Sequence, residues 1–219
     1  MTDPKVLSGK DTAIAAYESF KDRISLLSTK GITPGLCVIL VGEDPASKIY
    51  VRTKTKKLKS LGLKSEAIRL ESSVQESELI SVINDLNNDN SFHGILVQMP
   101  LSEHINSQNI INAIKPEKDV DGFHPENVGW LSIGKPRFIP CTPKGIMRIF
   151  KHYNIDLSGK DVVVIGRSNI VGRPMSTLVS SSNKGANATC TICHSRTSDL
   201  FEYTKRADVV ISVSYTHLR

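Results

Sequence analysis

Apolar positions recur along this chain with two alternating periods. Between residues 10 and 29 they are spaced three and four apart, which predicts an amphipathic helix that packs against another element. The next segment, GLCVILVG at 35–42, is short, rich in β-branched residues and apolar on both parities. That pattern is typical of a strand covered on both faces. The chain therefore begins with a helix followed by a buried strand.

The same alternation continues along the rest of the chain. We predict, in order, a helix at 45–61, a strand at 64–70, a helix at 75–89, a strand at 93–100, a helix at 106–115, a helix at 143–153, a strand at 160–166, a helix from 171, a strand at 188–195, a helix at 198–206 and a strand at 208–214. Between Lys115 and Pro143 the chain is rich in Pro, Gly and Asp, which predicts ordered loops without a regular element.

The order of these elements predicts the fold class. Strands that alternate with helices favour mainly parallel sheets, because parallel strands need long crossover connections. The chain has 219 residues, enough for one or two domains, and the alternation restarts after a Pro-rich loop near residue 140. We therefore predict two α/β domains, at 1–140 and 141–219.

Composition narrows the class of protein. The 28 Lys and Arg against 22 Asp and Glu give a net charge of +6, which suggests an anionic partner such as nucleic acid, a phosphorylated cofactor or a polycarboxylate. The longest apolar runs are far shorter than the ~20 residues of a membrane span, and the N-terminal segment lacks the apolar core of a signal peptide. Four cysteines without an export signal are typical of reduced thiols, so we expect a cytoplasmic protein without a membrane partner.

The second domain carries a candidate phosphate loop. Gly166 ends an apolar strand and Gly172 begins a helix, with Pro174 in the first helical turn, where it needs no amide hydrogen. Small residues and helix N-terminal amides at this point suit a pyrophosphate and predict a Rossmann-like dinucleotide domain. Ser168 stands where the GxGxxG fingerprint has its second glycine, so a tight strand-to-helix turn without a ligand is the alternative.

The end of the next strand distinguishes between cofactors. An acidic residue there would bind the ribose hydroxyl of NAD, whereas this chain offers His194, Ser195 and Arg196 before its first carboxylate, Asp199. Together with Arg167 these groups suit the additional phosphate of NADP. Alternatively, the two arginines are solvated loop residues.

Two cysteines in this domain resemble a metal or redox motif. Cys190 and Cys193 form a CxxC, but both lie on a predicted strand, where side chains three apart point to opposite faces. They are therefore poorly placed to share a metal or form a disulfide, and no second pair completes a zinc site. We interpret them as two buried thiols and predict no metal site.

The first domain has a cationic helix. Residues 48–59 hold six cations, and the segment lacks the interleaved aromatics of a surface that stacks nucleic-acid bases, which makes nucleic-acid binding the less favoured alternative. Tyr50 and Lys54 are four residues apart, so they share one face and can line one pocket. A lysine in such a pocket can act as a general acid or base.

Further polar residues follow the predicted strands, where parallel sheets build sites. Gln98 comes directly after GILV, and Asp119 and Asp121 lie in the loop KDVDGFHP. The two aspartates could bind a metal, although two carboxylates without a third ligand are weak support for one. A carboxylate that accepts hydrogen bonds from a nitrogen heterocycle fits equally well.

Six motifs together resemble one family. In order they are VGEDPASKIYVRTKTK, GILVQMPL, KPEKDVDGFHPENVG, PCTPKGI, GRSNIVGRP and CHSRT. Their order and spacing resemble those of the bifunctional methylenetetrahydrofolate dehydrogenase/methenyltetrahydrofolate cyclohydrolases, from about residue 8 to residue 213. The resemblance implies NADP-dependent oxidation of 5,10-methylenetetrahydrofolate to the methenyl cation and then hydrolysis to 10-formyltetrahydrofolate, within one-carbon metabolism and purine biosynthesis. It also implies one cleft between the domains, a homodimer, and folate substrates that carry polyglutamate tails.

The resemblance also implies roles for individual residues. Lys54 matches the acid/base of the hydrolytic step, Tyr50 the tyrosine beside the folate, Gln98 the glutamine that tunes the lysine, and Asp121 the aspartate that holds the pterin. The remaining substrate contacts expected from it are Val97, Pro100 and Leu101. The cofactor contacts expected are Gly166, Arg167, Ser168, Ile170, Val171, Gly172, Pro174, His194, Ser195, Arg196 and Thr197. A monofunctional dehydrogenase is the alternative, and the pairing of Lys54 with Gln98 argues against it.

The chain departs from the family pattern at its C-terminal end. Family members continue beyond DVVIS with a Gly-Pro loop, further strands of the nucleotide sheet and a helix, whereas this chain ends in SVSYTHLR. We therefore expect a C-terminally truncated chain in which the folate side and the adenosine-phosphate side are present and much of the nicotinamide side is not.

Overall fold

The computed structural model describes residues 6–213, so Tyr215–Arg219, where the departure from the family was noted, lie outside the described residues. The elements of the first part are α1 (Gly9–Thr29), β1 (Gly35–Val41), α2 (Pro45–Ser60), β2 (Lys64–Leu70), α3 (Glu76–Asn88), β3 (Gly94–Val97) and α4 (Ser107–Ala113). Those of the second part are α5 (Pro125–Ser132), α6 (Cys141–His152), β4 (Asp161–Ile165), α7 (Gly172–Ser180), β5 (Thr189–Cys193), α8 (Leu200–Arg206) and β6 (Val209–Ser212).

Two compact units make up the chain. One unit comprises residues 15–127. The other combines the chain up to Ile14 with residues 128 onward, so one boundary between the two units falls within α1. Each unit holds a three-stranded parallel sheet, ordered β2-β1-β3 in the first and β5-β4-β6 in the second. The predicted α/β class with parallel sheets is confirmed.

Strand β1 is buried on both faces, as the pattern at 35–42 predicts. Cys37 and Ile39 of β1 belong to a core cluster that includes residues of α3 and α4. Val38 and Leu40 point to the other face and pack with Val51 of α2. Burial raises the pKa of the Cys37 thiol to about 11. The alternate residues of β1 therefore fix helices on opposite sides of the sheet.

The second sheet packs in the same way on one face. Val162 and Val164 of β4 contact a cluster that includes Phe150 of α6 and Met175 and Val179 of α7. Since β4 and β1 each lie at the centre of a parallel sheet with later strands on either side, each sheet has a switch point at the carboxyl end of its central strand. Ligands of open α/β sheets bind at such points.

Several expectations about secondary structure need correction: β3 spans Gly94–Val97 and not 93–100, and α8 begins at Leu200 and not at 198. The loop predicted between Lys115 and Pro143 contains helix α5. Pro125 stands at its first position and Glu126 in its first turn, which are helix-start signals that the Pro- and Gly-rich composition obscured. In addition, α6 begins at Cys141, two residues earlier than predicted.

Helix α1 forms as predicted but is packed less closely than its apolar spacing suggests. Thr12 is its buried residue. Among the apolar residues with this spacing, Ile14 is 51% exposed, and four are half-buried: Tyr17, Phe20, Ile24 and Leu27. Tyr17 lies under the ammonium of Lys57 of α2, 3.6 Å from the ring centroid, which joins the two helices.

The cysteines of β5 differ in burial. Cys193 is buried, as predicted, whereas Cys190 is half-buried beside the core cluster of the second unit, and desolvation raises its pKa. All four cysteines of the chain are thiols without a disulfide. Over residues 6–213 no helix has the length and apolar character to cross a membrane.

Candidate active site and dinucleotide loop

Lys54 and Gln98 meet at the carboxyl ends of neighbouring strands. Helix α2 follows β1 after a turn at Gly42, whose φ of +76° favours glycine, and Asp44 caps the helix by accepting a hydrogen bond from the Ser47 amide. Lys54 lies in the third turn of α2, and its Nζ donates a hydrogen bond of 3.1 Å to Oε1 of Gln98. Sequence reasoning placed both residues in one site, and the structure brings them into contact.

The side chain of Gln98 is fixed by further hydrogen bonds. Its Nε2 donates to the Met99 carbonyl at 2.9 Å, and its backbone N–H donates to the Ile39 carbonyl at 2.8 Å, which extends the pairing with β1 beyond β3. With Nε2 turned to the backbone, Oε1 faces the lysine. The glutamine thus holds the ammonium group of the half-buried Lys54 in one place.

Asp121 lies in a second cluster beside this pair. It lines a depression together with nine other residues: Ile95, Leu96, Val97, Met99, Ile110, Ile111, Ile114, Asp119 and Phe123. Val97 is therefore grouped with Asp121, as expected, and Met99 connects the depression to Gln98. The wall is apolar apart from the two aspartates.

The other substrate residues from the sequence are more exposed. Tyr50 lies one helical turn before Lys54 and is 55% exposed, so its ring is available for stacking. Pro100 is exposed and follows a cis peptide bond, and Leu101 is half-buried. These three residues do not line the depression that contains Asp121.

The loop between β4 and α7 has the compact geometry of a phosphate loop. Gly166 has a φ of +121°, a conformation that side chains rarely adopt. The Oγ of Ser168 accepts hydrogen bonds from the amides of Val171 (3.1 Å) and Gly172 (3.5 Å). A Cβ on Gly172 would overlap the carbonyl group of Gly166. The serine that replaces the second glycine of the fingerprint therefore accepts hydrogen bonds from the amides where α7 begins.

The loop after β5 lies against this one. The Gly166 amide donates to the Cys193 carbonyl at 2.7 Å, and Arg167 Nη1 lies 3.4 Å from Nε2 of His194. Thr197 Oγ1 accepts from the His194 amide at 2.9 Å, which closes the turn that presents Ser195 and Arg196 to solvent. Among the other expected cofactor residues, which lie in the turn after β4 and in α7, Ile170 is exposed, Val171 is half-buried and Pro174 is buried.

Asp199 has a local structural role. Its Oδ1 accepts a hydrogen bond of 3.2 Å from the Glu202 amide and caps α8. The first carboxylate after β5 is therefore already bonded to the start of α8, whereas Ser195 and Arg196, which precede it, are exposed. This arrangement fits an additional phosphate better than an unsubstituted ribose.

Sequence reasoning named Asp119 only as a candidate ligand and missed its part in organising the Asp121 loop. Asp119 is 2% exposed, and its Oδ2 accepts hydrogen bonds of 2.8 Å from the His124 amide and from Nδ2 of Asn127. The loop is also held at its base, because Lys118 donates to the carbonyls of Leu86 and Asp89 and is partly desolvated there, which lowers its pKa. The spacing of acidic residues was visible in the sequence, but the burial of Asp119 was not.

The fold and the two sites are those of a dinucleotide-dependent α/β enzyme with a separate substrate domain. Comparison with known proteins identifies the family. The profile described as "Tetrahydrofolate dehydrogenase/cyclohydrolase, catalytic domain" matches residues 7–121. The profile of the NAD(P)-binding domain of the same family matches residues 140–216, slightly beyond Val213, where the motif-based resemblance ended. The chain belongs to the tetrahydrofolate dehydrogenase/cyclohydrolase family.

Individual relatives agree. The chain is 49% identical over 206 residues to the bifunctional protein FolD of Bacillus subtilis, covering 94% of this chain and 71% of that protein. The crystal structure of the Campylobacter jejuni bifunctional enzyme FolD is similar with a TM-score of 0.89 and 47% identity, covering 94% of this chain and 72% of that one. The Trypanosoma brucei dehydrogenase-cyclohydrolase, solved with NADP cofactor and an inhibitor, has a TM-score of 0.91 and 34% identity, covering 98% and 73% respectively.

Proposed function

We propose that this chain is a bifunctional folate enzyme. It oxidises 5,10-methylenetetrahydrofolate to the 5,10-methenyl cation and hydrolyses that cation to 10-formyltetrahydrofolate. The observation that carries the proposal is the hydrogen bond between Lys54 and Gln98 just beyond the carboxyl end of β3. The family to which the chain belongs is named for both activities. A monofunctional dehydrogenase has less need for an acid/base held in this way.

Each folate-side residue has a proposed part. Asp121 accepts hydrogen bonds from the pterin ring, and Tyr50 covers one face of the substrate. Val97, Pro100 and Leu101 supply its apolar surroundings. Lys54 moves the proton to and from the attacking water and the departing amine during hydrolysis, while Gln98 orients its Nζ. The functional division proposed is a folate domain up to residue 140 and a dinucleotide domain after it.

NADP is the proposed cofactor, and when bound it would supply the hydride acceptor for oxidation of the methylene carbon. The loop of Gly166, Ser168 and Gly172, with Ile170, Val171 and Pro174, holds the pyrophosphate at the start of α7. Arg167, Ser195 and Arg196, with His194 and Thr197 shaping the second loop, hold the additional phosphate. The exposed cations and the capping role of Asp199 support NADP over NAD.

Turnover tests the proposal directly. We expect the 219-residue chain to bind NADP and to convert the 5,10-methenyl cation to 10-formyltetrahydrofolate. Formation of NADPH from 5,10-methylenetetrahydrofolate, with much slower turnover when NAD replaces NADP, tests the oxidation step. Absorbance records NADPH, and chromatography separates the folate products. A folded chain that binds neither NADP nor the folate contradicts the proposal, and methenyl product without enzymatic hydrolysis favours the monofunctional alternative.

The tail of the substrate is proposed to be a polyglutamate bound by cations of α2. Three of the six cations of the helix have intramolecular partners, since Lys48 contacts Glu43, Lys54 contacts Gln98 and Lys57 contacts Tyr17. The other three are exposed: Arg52, Lys56 and Lys59. An anionic tail is attracted to such a stripe, and the attraction weakens with salt.

We expect a triglutamate form of the substrate to show a lower KM than the monoglutamate, with a gain that shrinks when salt is raised. The double variant Arg52→Ala/Lys56→Ala is expected to lose most of this gain, whereas Lys30→Ala, which removes an exposed charge elsewhere, retains it. Steady-state kinetics at two salt concentrations measure the effect. Equal KM values for the two substrates would rule out the tail site.

The assembly and compartment proposed are a homodimer and the cytoplasm. Exposed apolar side chains on α8 and β6, such as Phe201 (65%) and Val210 (40%), support self-association of the second unit. The four thiols without a disulfide suit a reducing compartment.

A further inference from the structure

The loop that carries Asp121 is closed around one buried carboxyl group. Asp119 forms a parallel bridge with Ile95 of β3, and the Ile95 amide donates to the Lys118 carbonyl at 2.8 Å. The segment before Asp121 is thus paired like an additional strand beside the sheet. The side chain of Asp119 then determines the course of the loop that follows.

Three hydrogen bonds run from Asp119 to the residues after Asp121. The backbone carbonyl of Asp119 accepts from the Gly122 amide at 3.1 Å, and Gly122 turns the chain with a φ of +70°. The carboxyl Oδ2 accepts from the His124 amide and from Asn127 Nδ2, both at 2.8 Å. Asn127, which is fully buried, also donates to the Pro116 carbonyl at 2.8 Å. These bonds enclose Asp121 and Phe123.

Asp121 and Phe123 lie inside this closed loop. Both line the depression in the first unit, and both lie outside its helices and strands. A loop residue that binds a rigid heterocycle has to be held near its bound geometry before the ligand arrives, since ordering it on binding reduces the affinity. Asp119 supplies that restraint without facing the exposed part of the site itself.

We propose that Asp119 is a positioning residue, which presents Asp121 and Phe123 to the pterin by holding His124 and Asn127. The proposal rests on the proposed folate-binding function. It assigns Asp119 no contact with the reacting atoms and no metal. Because both donors converge on one oxygen, asparagine at this position is able to accept both hydrogen bonds, whereas alanine accepts neither.

Three variants test the proposal: Asp119→Ala, Asp119→Asn and, as a control, Glu117→Ala, which removes an exposed carboxylate from the same loop. We expect Asp119→Ala to weaken tetrahydrofolate binding at least about tenfold, as a misplaced binding group does, with NADP affinity unchanged. Asp119→Asn is expected to recover most of the affinity. Titration calorimetry with tetrahydrofolate and, separately, with NADP measures both.

Hydrogen exchange supplies a readout that does not depend on folate. The His124 amide is expected to exchange faster in Asp119→Ala than in the unchanged chain, and to be protected again in Asp119→Asn. Unchanged exchange, or tetrahydrofolate affinity equal to that of Glu117→Ala, overturns the positioning role. Loss of NADP affinity in Asp119→Ala also overturns it, because the effect is then general unfolding. If the unchanged chain fails to bind tetrahydrofolate, the proposed function fails and this role with it.

Discussion

Replacing Lys54 with alanine is expected to abolish hydrolysis of the 5,10-methenyl cation by this chain. The Nζ of Lys54 is the titratable group held by Gln98 at the end of the first sheet, and the 3.1 Å hydrogen bond fixes it where α2 approaches β3. General acid/base groups typically contribute about 100-fold to 10,000-fold to a rate, so we expect a loss of at least about 100-fold. Supplying the methenyl substrate directly allows hydrolysis to be measured without NADP.

The controls separate chemistry from charge and folding. Lys30→Ala removes an exposed cation outside α2 and is expected to hydrolyse the methenyl substrate at the unchanged rate. Gln98→Ala keeps the lysine but frees its Nζ, so a smaller loss with an altered pH profile is expected. If Lys54→Ala still forms 10-formyl product at the enzymatic rate, the assigned role is wrong.

The pairing of Lys54 with Gln98 shows what sequence can predict about such a site. The β-branched apolar run at 35–42 and the run GILV identify two buried strands, and polar residues just beyond strands of a parallel sheet belong to one edge. The sequence does not state which strands are neighbours. The order β2-β1-β3 places β1 beside β3, and in this order Lys54 of α2 reaches Gln98.

The buried carboxyl group of Asp119 shows where prediction from sequence stops. Two aspartates in KDVDGFHP are equivalent as a pattern, and alternation alone does not decide which one is buried. Both line the depression, but Asp119, paired with Ile95, is buried, whereas Asp121 is half-buried. The partner Asn127 comes from the start of α5, a helix hidden in a Pro- and Gly-rich segment, so the contact depends on an element that composition did not reveal.

The second unit was more fully predictable because its loop geometry is local. Gly166, Ser168 and Gly172 lie within seven residues, and the strand-to-helix turn between them is specified by short-range sterics. The approach of Arg167 to His194 follows from adjacent strands β4 and β5, which are consecutive in the chain. On the cationic helix of the first unit, by contrast, intramolecular partners engage half of the six cations, which reduces the support for the nucleic-acid alternative.

Gly172→Ala is expected to weaken NADP binding by about 100-fold or more, since a displacement of about 1 Å in a binding element can have an effect of this size. The added Cβ would overlap the Gly166 carbonyl and lie 2.8 Å from the Cα of Arg167. Both neighbours are backbone atoms of the phosphate loop, so the loop itself has to move. Gly166 already has a φ of +121°, which leaves it few alternative conformations.

Matched variants identify steric overlap as the cause. Gly9→Ala belongs to the same compact unit and meets nothing within 4 Å, so NADP affinity is expected to be unchanged. Gly166→Ala also meets nothing within 4 Å but is strained by its positive φ, and we expect an intermediate loss. Titration with NADP measures all three, and tetrahydrofolate binding by the first unit serves as the internal check on folding. A Gly172→Ala variant that binds NADP as tightly as the unchanged chain would show that the loop between β4 and α7 does not hold the cofactor.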